Sequence, residues 1–328
     1  MLKAQYDSRG PVPQDVIDAV SEETPKPGSG QVLLEVLAAP INPSDVLTLT
    51  GDYGILPPLP AVGGNEGVGR VAELGDGVSG LDKGQTVLLP VGSGTWSSHV
   101  LAEAKDLVPL PNDADPKQLS MMTINPPTAL LMLQEFVDLK EGDWVIQNAA
   151  NSGVGGYLIR LAAQKGLRTV NVVRRESAVA GVEAQGGDVT LVDGPDLHKR
   201  VKEATGSAEV RLGIDAVGGD ATDHLANCLA AGSPVVNYGM MSGQPCQMSP
   251  ANVVFRDISL RGFWLSRWFS QAGRDQQMAI YSEVTRQIAS GALKAPIAAE
   301  YDVSDIKQAV AAAASGERDG KILVVPQH

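Results

Sequence analysis

One tyrosine, Tyr53, stands in a stretch that holds five glycines and three prolines, GDYGILPPLPAVGGNEG (51–67). Glycine and proline at this density favour tight turns and disfavour a helix or a central strand. A phenol is protonated at neutral pH, with a reference pKa of about 10, so it can donate a proton to a reacting group. The stretch predicts a rigid support for a chemically active Tyr53 or, alternatively, a loop tyrosine hydrogen-bonded to the backbone.

A second candidate is the small-residue turn in DWVIQNAANSGVGGYLIRLAAQKG (143–166), where a strand pattern leads directly into an amphipathic helix pattern. The exposed amides and the dipole at such a helix N-terminus can bind a pyrophosphate. The GxGxxG fingerprint is incomplete, because Ala150 and Ser152 hold its first two glycine positions if Gly155 is the third. A tight connection without a ligand is the alternative, and the strand–helix–strand context favours a nucleotide site.

Two arginines, Arg174 and Arg175, end the next apolar run, LRTVNVVRR (167–175). A site selective for NADH usually has an aspartate or glutamate at this position for the ribose hydroxyls. A carboxylate repels a 2′-phosphate, whereas a guanidinium pairs with it in a bidentate manner. The arginines therefore favour NADPH as the cofactor, and a solvated pair at a helix start is the alternative.

The elements that must position these residues follow two patterns. Between residues 30 and 110, short apolar runs alternate with Gly, Pro and Asp turns, which predicts an antiparallel, barrel-like β domain. From DWVIQNA (143–149) to SPVVNYG (233–239), apolar strands alternate with helix patterns, which predicts βαβ units and a parallel sheet. The last segment, which contains KILVVP (321–326), predicts a return to the first domain. The predicted fold class is α/β.

The composition is that of an ordinary globular protein of two-domain size, with 328 residues, of which 43% are hydrophobic and 20% are charged. The formal net charge of −12 disfavours nonspecific binding to nucleic acid or to an anionic membrane. No uncharged apolar run approaches the roughly 18 residues of a membrane span. The first twenty residues have neither a signal-peptide core nor the composition of a transit peptide. We therefore expect a cytoplasmic protein with no nucleic-acid or membrane partner.

Residues that usually hold a metal are sparse in this sequence. The two cysteines, Cys228 and Cys246, form no CxxC motif, and the four histidines are scattered along the chain. We therefore expect no metal site.

The order of a β-rich domain, a nucleotide domain and a returning C-terminus resembles the medium-chain dehydrogenase/reductase superfamily. The resemblance implies a GroES-like catalytic domain over 1–115, completed by 290–328, and a Rossmann doubly wound parallel-sheet domain over 116–289. Zinc-dependent members carry a cysteine and a GHE-type histidine, where this sequence has Asn42 in INPSD and Asn65 in GGNEG. Both departures imply a zinc-independent member.

Within the superfamily, the sequence resembles the mitochondrial-type trans-2-enoyl-thioester reductases. The pair GFWLSRW and NSGVG is specific to that resemblance, whereas INPSD is shared with quinone reductases. The resemblance implies NADPH-dependent reduction of the C2=C3 bond of an enoyl-CoA or an enoyl-ACP (acyl carrier protein) and, by analogy, a homodimer. The segments that carry it are INPSD, GDYGILPPLPAVGGNEG, GTW, INPPTA, VIQNAANSGVG, RTVNVVRR, NYGMMSGQP and LRGFWLSRW.

The same resemblance implies roles for individual residues. Tyr53 falls on the catalytic tyrosine of the family. Met240 replaces a family glycine. Arg175 and Glu176 stand where the family often has Asp and Arg, so only Arg174 keeps the role of a ligand for the 2′-phosphate. Packing is an alternative role for Trp264, and Glu66 and Asp45 are interpreted as structural carboxylates. The implied cofactor contacts are Asn125, Asn151, Ser152, Gly153, Val154, Arg174, Arg175, Tyr238, Gly239, Met240, Met241, Phe263, Trp264, Leu265 and Lys321.

The hypothesis for the reaction is hydride addition at C3 of the thioester, with Tyr53 donating a proton toward C2 directly or through a water. Two alternatives stay open: an NADPH:quinone or enone oxidoreductase on the same scaffold, and an NADPH-binding protein without turnover. Four arginines near GFWLSRW form either a cationic rim for a CoA or carrier-protein substrate or a solvated surface. They are Arg256, Arg261, Arg267 and Arg274.

Overall fold

The computed structural model describes residues 1–316 and 318–328, and it divides the chain into two compact units. The first unit comprises Met1–Ile124 and Tyr281–His328, and the second comprises Asn125–Ile280. The sequence-based domain boundaries at 115/116 and 289/290 remain predictions.

The N-terminal part of the first unit is built mainly from strands. Its long strand β3 has the sequence QVLLEVLAAP, an almost continuous apolar run that is largely buried. Helix α1 starts at a capping box, in which Asn42 and Asp45 each bond the other's backbone amide, and it ends at Gly51 with a φ of 92°. The elements are β1 (Leu2–Tyr6), β2 (Ile17–Ser21), β3 (Gln31–Pro40), α1 (Pro43–Thr50), β4 (Ala61–Val62), β5 (Val68–Leu74), β6 (Thr86–Leu88), β7 (His99–Glu103), β8 (Val108–Pro109) and α2 (Pro116–Leu119).

The second unit alternates strands and helices, as the sequence predicts. All its strand pairs are parallel, and the strand order is β11-β10-β9-β12-β13-β14. The elements are α3 (Asn125–Glu135), β9 (Trp144–Gln147), α4 (Gly153–Gln164), β10 (Arg168–Val173), α5 (Val179–Glu183), β11 (Val189–Val192), α6 (Leu197–Ala204), β12 (Val210–Asp215), α7 (Ala221–Cys228), β13 (Pro234–Asn237), β14 (Ser259–Gly262), α8 (Leu265–Gln271) and α9 (Arg274–Ala289), the last of which continues into the first unit.

The C-terminal segment completes the first unit with β15 (Ile297–Tyr301), α10 (Ile306–Ala314) and β16 (Lys321–Val324). Strand β16 pairs antiparallel with β3, so this segment extends the N-terminal sheet. That sheet has seven strands in the order β15-β16-β3-β5-β6-β8, with β7 paired to β3, and a smaller sheet has the order β2-β1-β4. The predicted α/β class, with a mainly antiparallel β unit and a parallel-sheet unit, is confirmed.

Trp96 anchors one core of the first unit and explains two of the glycines near Tyr53. The indole is fully buried, and its Nε1 donates to the Pro40 carbonyl oxygen (3.2 Å). A Cβ at Gly63 would lie 2.2 Å from the Trp96 ring, and one at Gly64 would lie 2.4 Å from Thr95 Oγ1. The two glycines therefore let the chain cross the face of the indole.

Among residues 1–316 and 318–328, no helix combines the length and apolar character needed to cross a bilayer.

Candidate nucleotide site and catalytic loop

Most of the predicted cofactor residues lie at one edge of the parallel sheet in the second unit. Parallel strands present their carboxyl ends at the same edge, where open α/β sheets bind ligands. The topology therefore brings together the loops that follow β9, β10, β13 and β14. These loops carry Asn151–Val154, Arg174 and Arg175, Tyr238–Met241, and Phe263 with Trp264 and Leu265.

The turn from β9 into α4 has the geometry of a phosphate cradle. Ser152 is the N-cap, and its Oγ accepts from the Gly155 amide (3.1 Å). The first-turn amides of Gly153 and Val154 have no acceptor within the helix, because an α-helix leaves its first N–H groups unpaired. A Cβ at Gly155 would lie 2.4 Å from the Ala150 carbonyl oxygen, so only glycine permits this close turn. The arrangement fits a pyrophosphate at the helix N-terminus.

Tyr238 supports the same turn from the loop after β13. Its phenol hydrogen-bonds the Ser152 hydroxyl, and burial raises the pKa of Tyr238 well above its ordinary value. The phenol therefore stays protonated at physiological pH. Its position joins two of the loops that the sequence predicts at the cofactor site.

A buried carboxylate, Asp215 at the end of β12, ties neighbouring strand ends together. Although burial raises its pKa, the hydrogen bonds from Asn148, Thr222 and two amides hold the pKa of Asp215 below its usual value. Its partners are Asn148 Nδ2 (2.6 Å), Thr222 Oγ1 (2.7 Å), Asn237 Nδ2 (3.0 Å) and the amides of Val217 (2.9 Å) and Gly218 (3.0 Å). Sequence reasoning missed this role, although an aspartate at the end of an apolar strand, three residues before a pair of glycines, was a usable signal.

The two arginines directly follow β10. Arg174 is exposed, and Arg175 is half-buried at the N-cap of a short 3₁₀ turn that begins at Glu176. An exposed guanidinium at the end of the second strand fits a 2′-phosphate, because it can form a bidentate pair there.

The loops after β13 and β14 differ in exposure. Met240 and Met241 are 52% and 61% exposed, whereas Phe263 is 9% exposed. The Phe263 ring packs edge-on against Phe136, with ring centroids 6.2 Å apart. Trp264 is 40% exposed. Phe263 is therefore packed inside the second unit, and the cofactor contacts of Phe263 and Trp264 stay predictions.

Three predicted residues lie elsewhere in the chain. Asn125 is buried at the start of α3 in the second unit, whereas Tyr53 and Lys321 belong to the first unit.

Tyr53 is half-buried in the loop that follows α1. The loop is attached to the segment that follows β1, because the Arg9 guanidinium donates to the Pro57 carbonyl oxygen. The same guanidinium lies 5.9 Å from the centre of the Tyr6 ring. The prolines and these contacts support the interpretation of a rigid loop around Tyr53.

Lys321 lies in a buried polar cluster, which we define as Asn42, Asp45, Asn65, Glu66 and Lys321. The Lys321 ammonium donates to Asn42 Oδ1, and Asn42 Nδ2 donates to Glu66 Oε1 (2.7 Å). Asp45 accepts from the Asn42 amide (2.7 Å) and from Asn65 Nδ2 (2.6 Å). Lys321 is only 5% exposed, so its ammonium is held inside the first unit.

Burial dominates the electrostatics of this polar cluster. It raises the pKa of Asp45 to about 6 and raises the pKa of Glu66, and it lowers the pKa of Lys321. The opposite charges of Glu66 and Lys321 counteract these shifts. Residues 1–316 and 318–328 contain no group of three or more His, Cys, Asp or Glu side chains that could hold a metal ion.

The fold and the sheet-edge site define a class of protein. Residues 28–112 match the alcohol dehydrogenase GroES-like domain, and residues 153–279 match the family described as zinc-binding dehydrogenase. These two matches, in this order, define the medium-chain dehydrogenase/reductase class, as the sequence resemblance implied. Within that class, the chain belongs to the enoyl-[acyl-carrier-protein] reductase family.

Relatives and solved structures support this membership over nearly the whole chain. A mitochondrial enoyl-[acyl-carrier-protein] reductase of Caenorhabditis elegans is 40% identical over 275 residues, which cover 82% of this chain and 79% of the relative. The Homo sapiens protein of the same name is 36% identical over 309 residues, which cover 92% of this chain and 82% of the relative.

Among solved structures, the mitochondrial 2-enoyl thioester reductase Etr1p/Etr2p heterodimer of Candida tropicalis has a TM-score of 0.86 at 25% identity and 99% coverage of both chains. A structure from Bacillus thuringiensis that is named as an NADPH:quinone reductase has a TM-score of 0.88 at 27% identity, also with 99% coverage of both chains.

The expectation of a cytoplasmic location is wrong by this comparison, because the similar relatives are named mitochondrial enzymes. The reasoning failed because charge and hydropathy determine how the folded domain interacts with water, and they do not specify the cellular compartment.

Proposed function

We propose that this chain is an NADPH-dependent reductase of the C2=C3 double bond of trans-2-enoyl thioesters. The observation that carries the proposal is its similarity, over 82–92% of the chain at 36–40% identity, to relatives named enoyl-[acyl-carrier-protein] reductase. The sheet-edge site and the Tyr53 loop supply the parts that this reaction needs.

The cofactor is held by the sheet-edge loops of the second unit. The amides of Gly153 and Val154 would bind the pyrophosphate, and Arg174, with Arg175 next to it in sequence, would pair with the 2′-phosphate. The Ser152 hydroxyl is engaged by Tyr238 and by Gly155, which keeps the turn in its binding conformation. NADPH, when bound, supplies the hydride that is added at C3 of the substrate.

Tyr53 is the residue that supplies or orients the proton. Hydride addition at C3 leaves negative charge on the thioester oxygen, and a neutral phenol stabilises this charge by donating a hydrogen bond. The same hydroxyl can pass its proton toward C2, directly or through a water. The attachment of the loop to Arg9 holds the phenol in one region and lowers the entropy lost when the reacting groups align.

The reaction is proposed to be independent of zinc, on the basis of the donor chemistry at the polar cluster. Asn42 and Asn65 use their amide groups to bond Glu66, Lys321 and Asp45, and Lys321 already brings one positive charge among the two carboxylates. A zinc site uses thiolate, imidazole or carboxylate ligands, and asparagine amides are poor replacements. The electrophilic assistance must then come from hydrogen bonds.

The thioester carrier, CoA or acyl carrier protein, is anionic and would favour a cationic surface. Arg256 is unsuited to this role, because its guanidinium donates to the carbonyl oxygens of Ala226 and Leu229 and to Asn252 Oδ1. Arg261 lies in β14 and its guanidinium is 5.4 Å from the centre of the Phe136 ring. Arg267 and Arg274 are exposed, so the proposed rim is limited to these two.

A homodimer is proposed to form through β14, the edge strand of the parallel sheet. All four of its residues are exposed, and Leu260 is 44% exposed. The segment before it adds Val254 and Phe255, which are 69% and 84% exposed. An edge strand flanked by exposed apolar side chains favours pairing with a second copy of the same strand.

The experiment that tests the proposal is NADPH oxidation with crotonyl-CoA, hexenoyl-CoA and decenoyl-CoA beside a benzoquinone, for the wild type and Tyr53→Phe. We expect turnover of the enoyl thioesters, a kcat about a hundredfold lower in Tyr53→Phe, and an unchanged Kd for NADPH. Tyr301→Phe, a matched change in β15, should behave as the wild type.

The similarity to the Bacillus thuringiensis structure supports a second candidate, an NADPH:quinone or enone oxidoreductase. That function predicts benzoquinone turnover that survives Tyr53→Phe, with no turnover of the thioesters. Binding of NADPH without oxidation by any of these substrates would instead indicate a binding protein without catalysis.

A further inference from the structure

The Glu66 carboxylate holds the main chain immediately before α3. Glu66 is fully buried, and its Oε2 accepts from the amides of Thr123 (3.0 Å) and Ile124 (3.1 Å). The next residue is Asn125, at which α3 begins. One carboxylate oxygen therefore fixes two consecutive peptide groups ahead of a proposed cofactor contact.

The other oxygen of Glu66 is fixed by the polar cluster. Glu66 Oε1 accepts from Asn42 Nδ2 (2.7 Å), and Asn42 is held in turn by the Lys321 ammonium. The carboxylate is thus bonded on both sides and cannot rotate without breaking a buried hydrogen bond. Hydrogen bonds to a charged acceptor are about twice as strong as neutral ones.

The charge of Glu66 also acts on the returning segment of the first unit. Burial, and to a smaller extent the charge of Glu66, raises the pKa of Tyr281 to about 12. Tyr281 is the first residue of the returning segment. Four residues further on, Thr285 Oγ1 contacts Met122 Sδ at 3.7 Å.

We infer that Glu66 is a positioning residue for Asn125, and that it acts by fixing the peptide groups of Thr123 and Ile124. The inference rests on the proposed function, because it takes Asn125 as a cofactor contact. Glu66→Gln keeps the shape of the side chain but removes its charge. It also places the new side-chain N–H group against another hydrogen-bond donor, either Asn42 Nδ2 or the two backbone amides. Even with its oxygen turned toward the amides of Thr123 and Ile124, Gln is a neutral and weaker acceptor for both. The segment before α3 then loosens, and Asn125 is displaced.

The test is a double-mutant cycle on NADPH binding, measured by nucleotide fluorescence, with Glu66→Gln, Asn125→Ala and the double variant. We expect Glu66→Gln to raise the Kd about tenfold and to add less than about twofold in the Asn125→Ala background. Amide hydrogen exchange at Thr123 and Ile124 should quicken in Glu66→Gln. The control is Glu73→Gln, the same change at an exposed carboxylate of β5, which should leave the Kd unchanged.

If the effects of Glu66→Gln and Asn125→Ala on the free energy of NADPH binding are additive, Glu66 acts on stability in general and the inference is overturned. The inference is also overturned if Asn125→Ala binds NADPH as tightly as the wild type does. In that case, turnover of crotonyl-CoA by the wild type would still support the proposed function. Should Glu66→Gln not fold, Glu66→Asp applies the same test, because it keeps the charge but withdraws the carboxylate from the two amides.

Discussion

The nucleotide turn is most sensitive at Gly155, where an added methyl group would strike the backbone. A Cβ there would lie 2.4 Å, 2.7 Å and 2.8 Å from the carbonyl oxygen, carbonyl carbon and Cα of Ala150. None of these atoms can move by a change of rotamer, so Gly155→Ala must push the start of α4 away from β9.

The magnitude follows from two opposing effects. Overpacking of this kind costs about 1–3 kcal/mol, and rigid backbone contacts place Gly155→Ala near 3 kcal/mol. Alanine recovers about 1 kcal/mol of helix propensity. The net loss of about 2 kcal/mol lowers the Tm of the second unit by about 4–8 °C.

The displacement also moves the amides of Gly153 and Val154, so we expect the Kd for NADPH to rise at least about tenfold. Thermal unfolding and NADPH titration measure the two effects. Gly181→Ala in α5 is the matched control, because a Cβ there meets no atom within 4 Å. It should stabilise the protein by about 0.5–1 kcal/mol and leave the Kd unchanged. A Gly155→Ala variant that melts at the wild-type temperature and binds NADPH normally would refute the reasoning.

Two further predictions concern charged residues. Arg174→Ala should raise the Kd for NADPH by about 10–100-fold and leave the Kd for NADH nearly unchanged. Isothermal titration calorimetry with both nucleotides measures this, and an equal loss of affinity for both would argue against a 2′-phosphate site. Burial raises the pKa of Asp45 from 3.8 to about 6, so the folded state favours the protonated acid. The contribution of Asp45 to the free energy of unfolding is therefore complete below about pH 4 and is lost as the pH rises through about 6. Relative to Asp45→Asn, the wild type should lose about 2 kcal/mol of unfolding free energy between pH 4 and pH 6, measured by urea denaturation. A difference that does not change with pH would contradict this.

The sequence predicted the strand–helix order of the nucleotide unit because each element there carries its own local signal. A buried parallel strand is an apolar run, and the turn into α4 needs Ser152 and Gly155 for reasons that lie within the turn itself. The β-rich unit was recognised for the same reason, through its short strands between Gly, Pro and Asp turns.

The contacts that join distant parts of the chain could not be predicted from the sequence. Glu66 was recognised as a structural carboxylate, but its partners Thr123 and Lys321 are 57 and 255 residues away along the chain. Asp215 gave a local signal, and its bonds to Asn148 and Asn237 depend on the strand order. Such pairs are fixed by tertiary packing, which a periodic pattern does not encode.

The most direct test of the proposed reaction follows the label from NADPH deuterated at the transferred position of the nicotinamide into the product of crotonyl-CoA. The wild-type enzyme should place deuterium at C3 of butyryl-CoA and none at C2, and the C2 hydrogen should come from the solvent, as NMR of the product would show. Deuterium at C2, or NADPH oxidation without any labelled butyryl-CoA, would contradict the assignment of this chain as an enoyl-thioester reductase.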